Sequence, residues 1–166
     1  MTQHEDIQVQ PQMPTPDPAL KHLDFLVGKW KMEGETLEGP MGPATKMESV
    51  ESFTWLEGGF FLVHHWEGTF DMGGHTVIDT GYEFLGYDAE RQMYTTHHFN
   101  SFGPYYEAGS TYQGDFTDGR LTLVGPARIT RQLNDDGTIS ADSDVAVPGE
   151  DGQWIPFMKS TLTQIK

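Results

Sequence analysis

The chain has 166 residues, no cysteine and a formal net charge of −15 at pH 7. That is one domain's length, enough to bury a substantial core, and the lack of cysteine excludes disulfides, cysteine nucleophiles and thiolate metal sites. An acidic surface repels phosphate backbones and anionic lipid head groups, so neither nucleic acid nor a membrane is an expected partner.

Residues 1–16 are polar and rich in Gln and Pro, which predicts a disordered tail ahead of a single domain over 17–166. The tail has no cationic start and no apolar core of signal-peptide length, so a cytoplasmic location is expected. No run approaches the roughly 20 apolar residues of a membrane-spanning helix. Asp17 is a capping residue, Pro18 suits the first helical position, and Leu20, Leu23 and Leu26 or Val27 recur at helical spacing before Gly28. This predicts a helix of about ten residues.

The period then changes to two. In GKWKMEGETL, Trp30, Met32 and Gly34 alternate with Lys29, Lys31, Glu33 and Glu35, as in a strand with one buried and one wet face. Further strand-like runs lie at about 46–56, 59–69, 75–87, 91–101, 105–114, 119–125, 127–133, 138–147 and 154–165. Between them stand the turn signals GPMGP, EGG, DMGG, YDAERQ, SFGP, TDG, NDDG and PGEDG. The 19 glycines and 10 prolines fit this many short connections. The expected fold is all-β, with roughly ten antiparallel strands as an up-and-down barrel or a sandwich.

The stretches HLDFLVGKWKMEGE, WLEGGFFLVHHWEG, GYEFLGYDAERQMYTTHHFNS and GRLTLVG resemble an uncharacterised family of bacterial lipocalin-like (calycin) domains, distantly like the nitrobindins. The resemblance covers about residues 20–166 and begins with a Gly-x-Trp at Gly28 and Trp30. It implies a ten-stranded antiparallel barrel, closed at one end, that holds a small apolar ligand. It implies no particular reaction. In nitrobindins a heme is held by a histidine near the chain's end, whereas the last histidine here is His98. The departure argues against heme, and no cofactor is expected. In lipocalins a late basic residue often covers the signature tryptophan, a place that Arg128, Arg131 or Lys159 would take.

Four of the seven histidines stand in two doublets, FFLVHHWEG at 60–68 and YTTHHFN at 94–100. Neighbours on a strand face opposite ways, so one histidine of each doublet points inward. Pairing across DMGG sets His65 opposite Thr80, and pairing across YDAERQ sets Thr80 opposite His98. The expected interior row is therefore His65–Thr80–His98. Its two histidines stand roughly 10 Å apart at the backbone, too far to share one small metal ion with bonds of about 2.0–2.1 Å. The expected ligand site consists of Phe61, Val63, His65, Thr80, Tyr82, Phe84, Tyr94, His98 and Asn100, a mostly apolar wall with a few polar groups. A one-residue slip would exchange the two faces.

The leading expectation is binding of a small hydrophobic or aromatic molecule inside the barrel, its polar end oriented by histidines. The alternative is a cyclase, isomerase or hydratase with His65, His98 and Glu67 as acid-base groups. A heme or metal barrel and a plugged structural barrel complete the set. No Gly-x-Ser-x-Gly elbow, HExxH or EF-hand loop is present, and NDDG reads as a hairpin turn. The aromatic segment NSFGPYYE at 100–107 suits a barrel mouth, and a homodimer through a sheet edge or that mouth is left open.

Overall fold

The computed structural model describes residues 13–39, 42–101, 110–147, 149–150 and 152–166. Most of the aromatic segment expected at 100–107 and the start of the strand expected at 105–114 lie outside them, as does most of the expected tail.

A 3-10 helix over Pro18–Leu26 comes first. Asp17 caps it, its Oδ1 accepting from the Ala19 amide at 2.8 Å. Leu20, Leu23 and Leu26 are all buried. Their spacing of three lines up one face of a helix with three residues per turn, which is why the tighter 3-10 form buries all three.

Ten strands follow: β1 (Gly28–Thr36), β2 (Thr45–Trp55), β3 (Leu62–Met72), β4 (His75–Asp88), β5 (Met93–Asn100), β6 (Ser110–Thr117), β7 (Arg120–Val124), β8 (Ala127–Leu133), β9 (Ile139–Ala146) and β10 (Trp154–Gln164). Each pairs antiparallel with its sequence neighbour, and β1 also pairs with β10, closing the barrel. The expected up-and-down barrel is therefore present. Closure leaves no strand edge for a homodimer to extend. No helix among the described residues is long and apolar enough to cross a membrane.

One boundary moves for a local reason. The strand expected from residue 59 starts at Leu62, because Gly58 and Gly59 take φ of 97° and 74°. That geometry makes a turn, closed by the Gly59 amide on the Leu56 carbonyl. The turn at NDDG is as expected: Asp136 Oδ1 accepts from the Thr138 amide at 3.0 Å.

The helix seals the end of the barrel where β1 begins. Its leucines pack with Trp30, Phe53, Leu62, Leu85, Tyr94, Leu121, Leu123, Ile139 and Leu162 in one buried cluster. Polar bonds pin it there. Trp30 Nε1 donates to the Leu26 carbonyl at 2.8 Å, Tyr94 donates to the Ala19 carbonyl at 2.7 Å, and Trp55 Nε1 donates to Asp24 at 2.9 Å. Trp30 thus bonds to the helix itself. Of the three basic residues expected over it, Arg131 lies over Phe53 and Arg128 over Trp154.

Candidate functional site

Two hairpins decide which histidines face inward. The β3–β4 turn is Gly73-Gly74, both with positive φ, and it sets Met72 opposite His75. His65 then faces Tyr82, two residues along from the expected Thr80. Two is even, so the faces are unchanged by that shift. The β4–β5 turn is the shorter Ala89–Gln92 loop. Asp88 Oδ1 accepts from the Glu90 and Arg91 amides, and Asp88 stands opposite Met93. His98 then faces Glu83, three residues along from Thr80. Three is odd, so β5 presents its opposite face relative to β4.

The interior row is accordingly Phe53–His64–Glu83–His98–Ser110. His98 points inward as expected, and His64 takes the place expected for His65. Among the expected ligand residues, Tyr94, His98 and Asn100 lie on inward-facing positions. His65, Val63, Thr80 and Phe84 lie on the outer face, with Tyr82 48 % and Phe61 42 % exposed. His65 stacks on Tyr82 there, ring centroids 4.4 Å apart. Its contact with Glu67 is 3.8 Å and exposed. The expected acid-base set of His65, Glu67 and His98 is thus divided between the two sides of the wall.

The physical reason for the exchange lies in what fills the lumen. The face that carries His64, Asp79, Gly81 and Glu83, more charged than the expected one, also carries Leu62 and Trp66, and it is the interior one. Its charges are neutralised by one another, so burial is tolerated.

At the centre stands a four-residue ionic group. His64 Nδ1 lies 3.0 Å from Glu83 Oε2, and His64 Nε2 lies 3.0 Å from Glu51 Oε2. Carboxylates only accept, so an imidazole bracketed by two of them donates from both nitrogens as the cation. Arg131, reaching across the lumen from β8, donates from Nη2 to Glu83 Oε2 at 2.8 Å. Ser49 donates to Glu51 Oε1 at 2.9 Å. Phe53 stacks on His64 at 4.0 Å with the rings nearly parallel.

The titrations follow from this arrangement. Burial acts to raise Glu83 and Glu51, but the facing cations and hydrogen bonds win and hold both below the usual carboxylate range. Burial acts to lower His64, yet its bonds to both glutamates raise it. Two carboxylates and two cations leave this group neutral. Sequence reasoning missed Glu51, His64, Glu83 and Arg131 as a set. The signal was there in part: Glu51 and Glu83 each alternate in step with Phe53 and Leu85 on their own strands.

On the mouth side of the ionic group the lumen stays polar. Trp66 and Tyr112 are buried, and His98 is half-buried between them with ring centroids 4.8 Å and 6.1 Å away. Gly81 makes room for Trp66, since a Cβ there would collide with the indole ring and with the Phe99 carbonyl. Further toward the mouth are the half-buried Asp79, Asn100 and Ser110. Burial raises the Asp79 carboxyl, outweighing the pull of the neighbouring Trp66 indole and His98. Burial lowers His98, which favours its neutral form. Among the described residues no three His, Asp or Glu side chains form a metal site.

Comparison with known proteins gives the family. The sequence pattern of a family described as "Protein of unknown function (DUF1579)" matches residues 15–164. The chain belongs to this family. The DUF1579 match spans the helix and all ten strands. No curated protein matches. Among solved structures, the crystal structure of Rv2717c from M. tuberculosis is similar at a TM-score of 0.63. The two are 16% identical over 91% of this chain and 99% of that one. At that identity the likeness is one of fold.

Proposed function

We propose that the mouth half of this DUF1579 barrel binds a small apolar or aromatic molecule, and that His98, Asn100 and Asp79 orient its polar end. The observation that carries this reading is a set of buried side-chain atoms with no hydrogen-bond partner: Asp79 Oδ1, Glu83 Oε1, Thr96 Oγ1 and Arg131 Nη1. All four belong to side chains on inward-facing positions. A buried polar atom left unbonded costs about 1–3 kcal/mol. Water or a ligand's polar group inside the barrel would remove that cost. Trp66 and Val77, also on inward-facing positions, offer the apolar surface for the body of the molecule. The division of the lumen supports the same reading. The helix end is packed with apolar side chains, and the mouth half is polar and half-exposed.

The test is native mass spectrometry of the purified protein, followed by denaturing mass spectrometry of the same sample and titration with an aromatic fluorescent probe. The expected result is a retained small molecule, or uptake of the probe, with release on denaturation. A protein that carries nothing and takes up no probe overturns the reading. His98→Ala is expected to weaken binding about tenfold, the loss of one good hydrogen bond, with the melting temperature little changed. Loss of the fold instead would mark His98 as structural.

A further inference from the structure

The inward-facing charges fix the kind of polar end the mouth half would take, an inference that rests on the proposed binding reading. Among the described residues, the ionisable groups on inward-facing positions around the mouth half are Glu51 on β2, His64 on β3, Asp79 and Glu83 on β4, His98 on β5, Tyr112 on β6 and Arg131 on β8, with His75 exposed at the rim end of β4. The positions of β1, β9 and β10 that face inward beside them carry Met32, Gly34, Ala141, Ser143, Ser160 and Leu162, which hold no charge.

Both cations of the ionic group are already committed. His64 bonds Glu51 and Glu83, and Arg131 bonds Glu83. The carboxylate left over is Asp79. It has no cation bonded to it, and its Oδ1 is buried without a partner. It stands on the mouth side of the ionic group, beside the Trp66 ring. A carboxylate with an open, buried acceptor suits a hydrogen-bond-donating cation, which gains from the charge. A ligand carboxylate would meet the like charge of Asp79.

We infer that the polar end of the ligand is a protonated amine, held by the carboxylate of Asp79 beside Trp66, and that the mouth half takes amphipathic amines in preference to matched alcohols or acids. Burial raises the Asp79 carboxyl while it lacks a counter-ion, and a bound ammonium group would lower it again. Binding of the amine is therefore coupled to loss of a proton from Asp79.

The experiment uses three probes with one apolar body: naphthalen-1-ylmethylammonium, naphthalen-1-ylmethanol and 1-naphthoate. Each is titrated into the full chain by calorimetry. The amine is expected to bind at least about tenfold more tightly than the alcohol, the ratio of a charged over a neutral hydrogen bond, with the acid weakest. In Asp79→Asn the amine-to-alcohol ratio should fall to about one. In the unaltered protein the same ratio should fall as the pH drops through the Asp79 titration, a readout that holds even if the variant fails to fold. If the alcohol or the acid binds as tightly as the amine, or the preference survives in Asp79→Asn, the amine assignment fails while the binding reading stands. If no probe binds, the binding reading fails and the assignment falls with it.

Discussion

Glu83 is fully buried and has one oxygen bonded to both His64 and Arg131. Removing one partner of a buried ion pair costs far more than the pair contributes, because the remaining charge stays in a poorly solvating place. Arg131→Ala is therefore expected to destabilise the barrel by about 3–5 kcal/mol, read as a lower urea midpoint at pH 7. Adding Glu83→Gln to it should recover part of that loss, since the uncompensated charge is gone. Recovery of nothing would mean that Arg131 acts through packing on Phe53 instead.

The same residues set a pH window. Glu51 and Glu83 titrate below their ordinary value of 4.5, so their contribution is present above that value and is lost as the pH falls below it. His64 titrates above its ordinary value of 6.5, so its contribution is full below 6.5 and is lost as the pH rises through the raised value. Stability is expected to be greatest between these two ordinary values and to decline on both sides. Urea midpoints across about pH 3 to 9 check this. His64→Gln should flatten the alkaline decline.

At the scale of the element, the 3-10 helix is a stopper. It is only nine residues long, too short to be stable in water on its own i→i+3 bonds, so its stability comes from the leucines it buries and the polar bonds that clamp it. Leu23→Ala should cost roughly 2–5 kcal/mol, since Leu23 has no exposed surface. Asp17→Ala should cost only about 1 kcal/mol, the loss of one cap. Thermal melts of the two variants test the order. Gly81 gives a comparable test within a strand: Gly81→Ala should displace Trp66 and quench or shift its fluorescence, because the added carbon meets the indole and a backbone carbonyl that cannot move away.

Strand identity was legible because the period of two is a local property. β1, β7 and β8 follow the alternation and turn residues of their own segments to within a residue or two. Strand facing was not, because it depends on how each hairpin closes. The Gly73-Gly74 and Ala89–Gln92 loops differ from the expected turns by small amounts, yet an odd shift in the second reverses which histidine of a doublet faces inward.

Across the whole molecule, β1–β10 pairing closes the sheet and removes every edge. What remains exposed is the outer wall of a chain whose net charge is −15, and it includes apolar and aromatic side chains, Ile78 (68 % exposed) and Phe99 (49 % exposed) among them. Like charges at this density repel one another and oppose the compact state. Raising the salt from low to physiological should therefore raise the melting temperature by screening that repulsion. The buried ionic group contributes little to this salt effect, since solvent ions do not reach it.

The sequence by itself determined the class of fold, the number of strands, the helix that precedes them and the absence of thiol chemistry. Each of those follows from local period, turn residues or composition. Only the tertiary structure decided which faces line the lumen, and so brought Glu51, His64, Glu83 and Arg131 together from four strands. The reason is physical. A buried charge looks like a surface charge in sequence until its partner is known, and here Arg131 and its partner Glu83 stand 48 residues apart and meet across the lumen of a closed barrel.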